Sequence, residues 1–216
     1  MSKESWQRAR SYEQIQERID TILDAAGRVF QNQPYEKVTM QMIAREAKFT
    51  RSNLYRYFNT REEIFVTLFM KDIDSWIKQV KSTVRSEMDL ETFVKTWTQI
   101  LCQQQRLLEL SPLLSVSLEQ NTSEEIYRQT KLILFERMSE AIPVLQRVLP
   151  LLTVAQGFEF LLLHQSLVAG IWPMSQYTDM QRQVLAENEL QLLEIDFASF
   201  YEKAILMITR GMLQDP

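Results

Sequence analysis

Residues 50–65 read TRSNLYRYFNTREEIF. Leu54 and Phe58 stand four apart, on one face of a helix that Thr50 is placed to cap, while the remaining faces carry Arg51, Ser52, Asn53, Tyr55, Arg56 and Tyr57. Thr60 is placed to cap the next helix, with Arg61 beside it and Glu62 and Glu63 in the first turn, where the positive end of the macrodipole favours acids. A segment held by two apolar side chains and otherwise covered in cations, amides and phenols is either a solvated face or a surface for an anion. The sequence on both sides has to decide.

Toward the N-terminus, Thr39 precedes MQMIAREA, a short helix of about two turns, and Lys48 and Phe49 make a tight connection to Thr50. Before it, Ile15, Ile19, Ile22, Leu23, Ala26 and Phe30 recur at three- and four-residue spacing, predicting a helix over about 13–31 that stops at Pro34. Toward the C-terminus, Ile64, Phe65, Leu68, Phe69, Ile73, Trp76, Ile77, Val80 and Val84 extend the Thr60-capped helix to about residue 85. Two short helices joined by a tight turn have the size of a helix-turn-helix, and a third helix of about eight residues would be roughly 12 Å long, near the width of the DNA major groove. Arginine, asparagine, serine and tyrosine on its outer faces can grip phosphates or read base edges. For Tyr55 and Tyr57 the alternative is packing against neighbouring helices with the hydroxyls in water. Arg18, Arg28 and Arg45 read as solvated.

Composition agrees with helices. The 216 residues contain only four glycines and six prolines, too few turn signals for an all-β fold, and 45% are hydrophobic against 24% charged, as in soluble globular proteins. The single cysteine, Cys102, excludes an intramolecular disulfide and a thiolate metal cluster. The first residues have no apolar signal region and no uninterrupted apolar run reaches about 18 residues, so a cytoplasmic protein without membrane association is expected. The net charge of -4 hides an asymmetry: residues 1–61 carry +4 and the remainder -8. Either an anionic partner meets the N-terminal quarter, or the +4 is an ordinary fluctuation of charge along the chain.

The stretches ILDAAGRVF and YEKVTMQMIAREAKFTRSNLYRYFNTREEIF, with AA-x-x-x-F, a threonine cap, IA-x-x-A, LY-x-YF and EEIF at fixed distances, resemble the DNA-binding domain of the TetR family of bacterial transcriptional regulators. The resemblance spans about residues 15–75, with the helix-turn-helix at about 39–58. It implies helix N-termini set on the phosphate backbone by Thr39 and Thr50, and phosphate contacts from Asn53, Tyr57 and Arg61. It also implies base contacts from Arg51 and Ser52, with Tyr55 and Arg56 as further candidates. Two positions depart from the family pattern. Lys48 occupies the turn where glycine is common, and either takes the turn at modest strain or adds a phosphate contact. Arg61 replaces the usual lysine, keeping the charge with a fork of donors. Residues 1–14 form a polar arm, either disordered or reaching a minor groove through Lys3, Arg8 and Arg10.

Beyond residue 80 no motif is readable. Helices are expected over about 90–104, from Pro112, over about 123–142 ahead of Pro143, and in two apolar segments, 154–171 and 190–212, separated by a polar loop around PMSQYTDMQRQ. His164, the only histidine, is a hydrogen-bonded core residue, an interface residue or a pocket contact, and Trp97, Cys102, Phe158, Gln165 and Trp172 share that ambiguity. No nucleophile–histidine–acid set, phosphate loop or zinc motif is present, so enzyme activity is not expected, and neither is a cofactor.

The expected protein is all-α. A helix-turn-helix domain over 15–75 precedes a regulatory and dimerisation domain over 76–216. By the family resemblance it is a homodimeric repressor on pseudo-palindromic double-stranded DNA, released by a small effector, and the aromatic, methionine and leucine residues of the body, with few charges among them, point to a hydrophobic or amphipathic one. The last two apolar helices are the expected dimer contact. A helical protein-interaction scaffold is the competing class.

Overall fold

A computed structural model describes the backbone of residues 3–214 and the side chains from residue 13 onward, apart from Asn188 and Gln214. It divides into two compact units, a head running to Leu68 together with Ser117–Tyr127, and a body of Phe69–Val116 with Arg128–Pro216.

In the head, α1 (Lys3–Asn32) is already helical through the segment expected as an arm, and the side chains of Lys3, Arg8 and Arg10 lie outside the described residues. Its apolar stripe buries Ile22, Ala25 and Ala26 completely. A 3-10 turn over Tyr35–Lys37 leads to α2 (Met40–Glu46), where the Thr39 hydroxyl accepts the Met42 N–H at 3.3 Å. The turn that follows carries the only positive φ of a non-glycine residue among the described residues, 58° at Lys48. Lys48 N–H donates to the Arg45 carbonyl (3.1 Å) and Phe49 N–H to the Ala44 carbonyl (2.8 Å), the pair of bonds that closes a helix through a left-handed residue. The first of the two expected readings of Lys48 thus describes the backbone. A non-glycine residue in that region costs about 1–2 kcal/mol, and glycine's greater backbone entropy returns about 0.5–1 of it. Lys48→Gly is accordingly expected to stabilise the head by about 0.5–1 kcal/mol, read as a higher urea midpoint with an unchanged slope.

The body holds most of α4 (Arg61–Thr83), then α5 (Leu90–Cys102), α6 (Gln105–Leu113), most of α7 (Glu124–Val148), α8 (Val154–Met174), α9 (Asp179–Leu185) and α10 (Phe197–Gln214). Helix α8 packs on α6 and α10, and α10 on α5, around Trp97, Phe93, Phe160 and Tyr201, each fully buried. Gly157 permits close approach of α8 to α7: a Cβ there would stand 2.9 Å from Ile142 Cγ1.

Four boundaries differ from the sequence expectation, each for a local reason. Pro112 lies inside α6 rather than opening a helix; without its N–H the helix loosens into a π-helical turn over Leu114–Leu118. Helix α7 continues past Pro143 to Val148. A proline inside a helix costs about 3 kcal/mol, but Val144, Leu145 and Leu149 are buried just beyond it, at about 1.5–3 kcal/mol each, so the continuation wins. The polar segment expected as a loop contains α9, opened by a reciprocal Thr178–Gln181 capping box. The last apolar segment becomes helical only at Phe197, because residues 188–193 form a 3-10 turn that leaves Leu192 87% exposed.

Candidate nucleic-acid interface and ligand cavity

Helix α3 (Arg51–Leu54) is shorter than the eight residues expected. Beyond Leu54 the bonds alternate, with Arg56 N–H to the Asn53 carbonyl (3.3 Å) and Phe58 N–H to the Leu54 carbonyl (3.2 Å), and the chain tightens into turns. The Thr50 hydroxyl caps the first turn, accepting from Asn53 N–H at 3.1 Å. Leu54 and Phe58 are both buried, and they hold the segment so that Arg51, Ser52, Tyr55 and Arg56 remain exposed, with Asn53 and Tyr57 half-buried. Arg51 is ordered along the Tyr55 side chain, its Nη2 3.1 Å from the hydroxyl and its guanidinium 5.4 Å from the ring centre. This leaves guanidinium donors free in a preset direction. Both capping threonines, Thr39 and Thr50, are exposed beside this surface. Arg28, read as solvated, pairs with Glu46 across α1 and α2 at 2.6 Å while staying exposed.

Arg61 is turned inward. Its Nη1 donates to the carbonyls of Val38 (2.7 Å) and Tyr35 (3.0 Å), its Nε to Glu62 (2.8 Å), and its guanidinium lies 4.5 Å from the Tyr35 ring centre. It closes the carbonyl end of the 3-10 turn, so only its remaining donors are left for a phosphate. Burial, and then the neighbouring Glu62 carboxylate, pushes the Tyr35 phenol up to about 12, which keeps it a donor to Glu62 at 3.1 Å; the Ser117 side chain also hydrogen-bonds it. The next helix is fixed by Thr60, whose hydroxyl accepts Glu63 N–H at 3.1 Å, while Glu63 accepts Asn59 N–H at 2.8 Å.

In the body, the six candidate residues fall in three places. His164 and Gln165 line a cavity between α4, α5, α6, α7 and α8, with about 60 Å³ open to water-sized molecules. Phe69, Ile73 and Trp76 of α4 and Arg137 and Met138 of α7 also line it. Cys102 and Trp172 line a separate polar cleft with Tyr177, Arg182 and Glu194. Burial, with Asp196 and Glu202 nearby, raises the Cys102 thiol. Trp97 and Phe158 line neither: Trp97 is fully buried, and Phe158 stacks on Phe135 with ring centres 5.1 Å apart.

Behind the cavity wall is a closed polar triad. Trp97 Nε1 donates to the Tyr201 hydroxyl at 3.1 Å, and that hydroxyl sits against His164 Nδ1. One hydrogen is shared between that hydroxyl and Nδ1, and Trp97 Nε1 also lies 3.4 Å from Nδ1, so the three groups satisfy one another. Burial pushes His164 down to about 3 and raises Tyr201 well above the ordinary phenol value, so both stay neutral. Sequence reading missed Trp76, Arg137 and Met138, since an apolar helical stripe looks the same whether it lines a core or a cavity.

Residues 22–68 match the family model for bacterial regulatory proteins of the tetR family, and residues 70–216 match the model for the tetracyclin repressor-like C-terminal domain. Two relatives each align over 66 residues. The HTH-type transcriptional regulator HbdR of Aromatoleum sp. (strain CIB) is 30% identical over 31% of this chain, and the regulator YfiR of Bacillus subtilis (strain 168) is 29% identical over 31% of it. These matches span 29% and 32% of the relatives' own lengths. Two solved structures share the fold across nearly the whole chain. The fatty acid degradation regulator FadR from Bacillus halodurans has a TM-score of 0.50 and 18% identity, covering 87% of this chain and 97% of that one. The regulator PfmR from Thermus thermophilus has a TM-score of 0.51 and 14% identity, covering 88% and 97%.

Proposed function

Because the chain belongs to the TetR family of bacterial transcriptional regulators, we propose that it is a homodimeric repressor that binds a pseudo-palindromic operator and releases it when a small molecule enters the body. The observation that carries this reading is the Thr50-capped segment, anchored by Leu54 and Phe58 so that Arg51, Ser52, Tyr55 and Arg56 face outward together. In the proposal Arg51 and Ser52 read bases, with Tyr55 and Arg56 beside them. Thr39, Thr50, Asn53 and Tyr57 hold the phosphate backbone, and Arg61 reaches it with the donors its internal bonds leave. Helix α4 serves as the lever, since it is one continuous helix from Arg61 to Thr83 and carries cavity residues in its later turns.

Footprinting on DNA flanking the protein's own gene tests the reading. Protection of two half-sites about 34–36 Å apart, or at a multiple of the helical turn, is expected. Affinity should fall with salt at a log-log slope of about -0.9 per neutralised phosphate. Arg51→Ala should cost about 1–3 kcal/mol per head and relax preference at one base pair in each half-site. Absence of binding at low salt, or an unaltered footprint with Arg51→Ala, would overturn the assignment.

A further inference from the structure

The cavity is apolar except for a few groups, and most of those already have partners. The Ser111 hydroxyl donates to the Leu107 carbonyl at 2.7 Å, and Gln165 Nε2 lies 3.5 Å from the Ser111 carbonyl. Arg137 bonds Asp74 and pairs with Glu140 (3.0 Å) and Glu136 (3.6 Å), while Lys81 pairs with Glu140 at 2.5 Å. The positive charge at the cavity edge is therefore matched by three carboxylates, leaving none for an acidic ligand. Trp76 is different. It is 4% exposed, its ring stacks on His164 with centres 4.9 Å apart and planes within 4°, and its indole N–H is the one buried side-chain polar atom among the described residues with no hydrogen-bond partner. An orphaned donor in an apolar wall penalises the empty state and rewards an acceptor placed there.

We propose that this cavity selects an uncharged, largely apolar molecule bearing a carbonyl-type oxygen, which accepts the hydrogen bond of Trp76 Nε1. The proposal rests on the effector reading above and deepens it by naming the ligand class. A carboxylate would enter an apolar site without a free cation, and an ammonium would face the Trp76 N–H, so both are rejected by desolvation without compensation. The present space is small, and the flexible Met138 and the leucines of the wall must move to admit a ligand larger than a few water molecules.

Three probes of nearly equal shape separate these classes: acetophenone, ethylbenzene and benzoate, each titrated into the full-length protein and followed by calorimetry and tryptophan fluorescence. Acetophenone is expected to bind about tenfold tighter than ethylbenzene, the difference made by one hydrogen bond to a donor otherwise left unpaired, and tighter than benzoate by a larger margin. In Trp76→Phe the ketone's advantage over ethylbenzene should shrink to about twofold or less. If that variant does not fold, the wild-type ranking still decides. Tighter binding of benzoate, equal binding of ketone and hydrocarbon, or no binding of any probe at millimolar concentration would overturn the proposal. The same acetophenone titration on an operator complex separates the two readings. Preferential ketone binding without DNA release leaves the ligand class standing and removes the effector role, whereas release by benzoate alone does the reverse.

Discussion

Protein carrying Gly170→Arg is expected to fold normally, to sediment as a monomer, and to lose at least about a hundredfold in operator affinity. Within one chain the substitution is harmless, since a Cβ at Gly170 meets nothing within 4 Å, and replacing glycine inside a helix favours the helix by up to about 1 kcal/mol. Between two chains it is not. Helix α8 has no charged residue from Phe160 to Trp172, and the chain stays free of them to Thr178. By length and composition α8 is apolar enough to cross a membrane, yet only 33% of its apolar window is buried within the chain. Leu162, Ser166, Gly170 and Pro173 form its outward stripe, and Phe200 and Met207 face outward from α10. If α8 and α10 pair with their copies across a two-fold axis, an arginine at 170 is buried opposite a like charge, at a cost of several kcal/mol per ion (about 3–5). Separating the heads then removes the tethering that makes the second half-site nearly intramolecular, worth about 10²–10⁴ in affinity. Sedimentation equilibrium at micromolar concentration reads the first effect and operator titration the second. A variant that remains dimeric would place the contact elsewhere.

The second large effect is a loss of stability on mild acidification. Burial lowers His164 to about 3, against an ordinary value of 6.5. A histidine depressed on folding stays neutral in the native protein while the unfolded chain takes up a proton. Its contribution is therefore full above about pH 6.5 and is lost as the pH falls toward about 3. The slope approaches about 1.4 kcal/mol per pH unit in that window. Between pH 7 and 5 the urea midpoint should correspond to a loss of about 2 kcal/mol. The lowered carboxyls of Glu140 and Asp196 titrate below this interval, so they do not mimic the effect. His164→Asn, which can still accept from Tyr201 through its side-chain oxygen, should flatten the profile between pH 7 and 5. A wild-type profile already flat there would mean that His164 protonates in place.

The contrast between head and body shows what a sequence can reveal. Thr39, Thr50 and Thr60 cap helices as expected because capping is a local reaction between a hydroxyl and an amide three residues on. Leu54 and Phe58 are legible for the same reason, as is the odd lysine in the turn. Arg61 was not, since the carbonyls that turn it inward belong to Tyr35 and Val38 on a different element. Helix ends were misplaced at Pro112 and Pro143, where burial of the next turn or a switch to π geometry outweighed the local rule. The cavity was least legible. Its wall draws residues from five helices in one apolar alphabet, and only pairing in space distinguishes Trp76, with a free N–H, from Trp97, whose N–H is satisfied by Tyr201.

The head is discontinuous, taking in Ser117–Tyr127 in addition to the chain up to Leu68, with Ser117 bonded to Tyr35. On the ribosome these parts do not emerge together. At about 5–20 residues per second, translation reaches the second part several seconds after the first. The newborn head is therefore complete only after α5 and α6 have been made. A premature fragment ending near residue 85 carries the helix-turn-helix segment but lacks a strip of its own supporting unit.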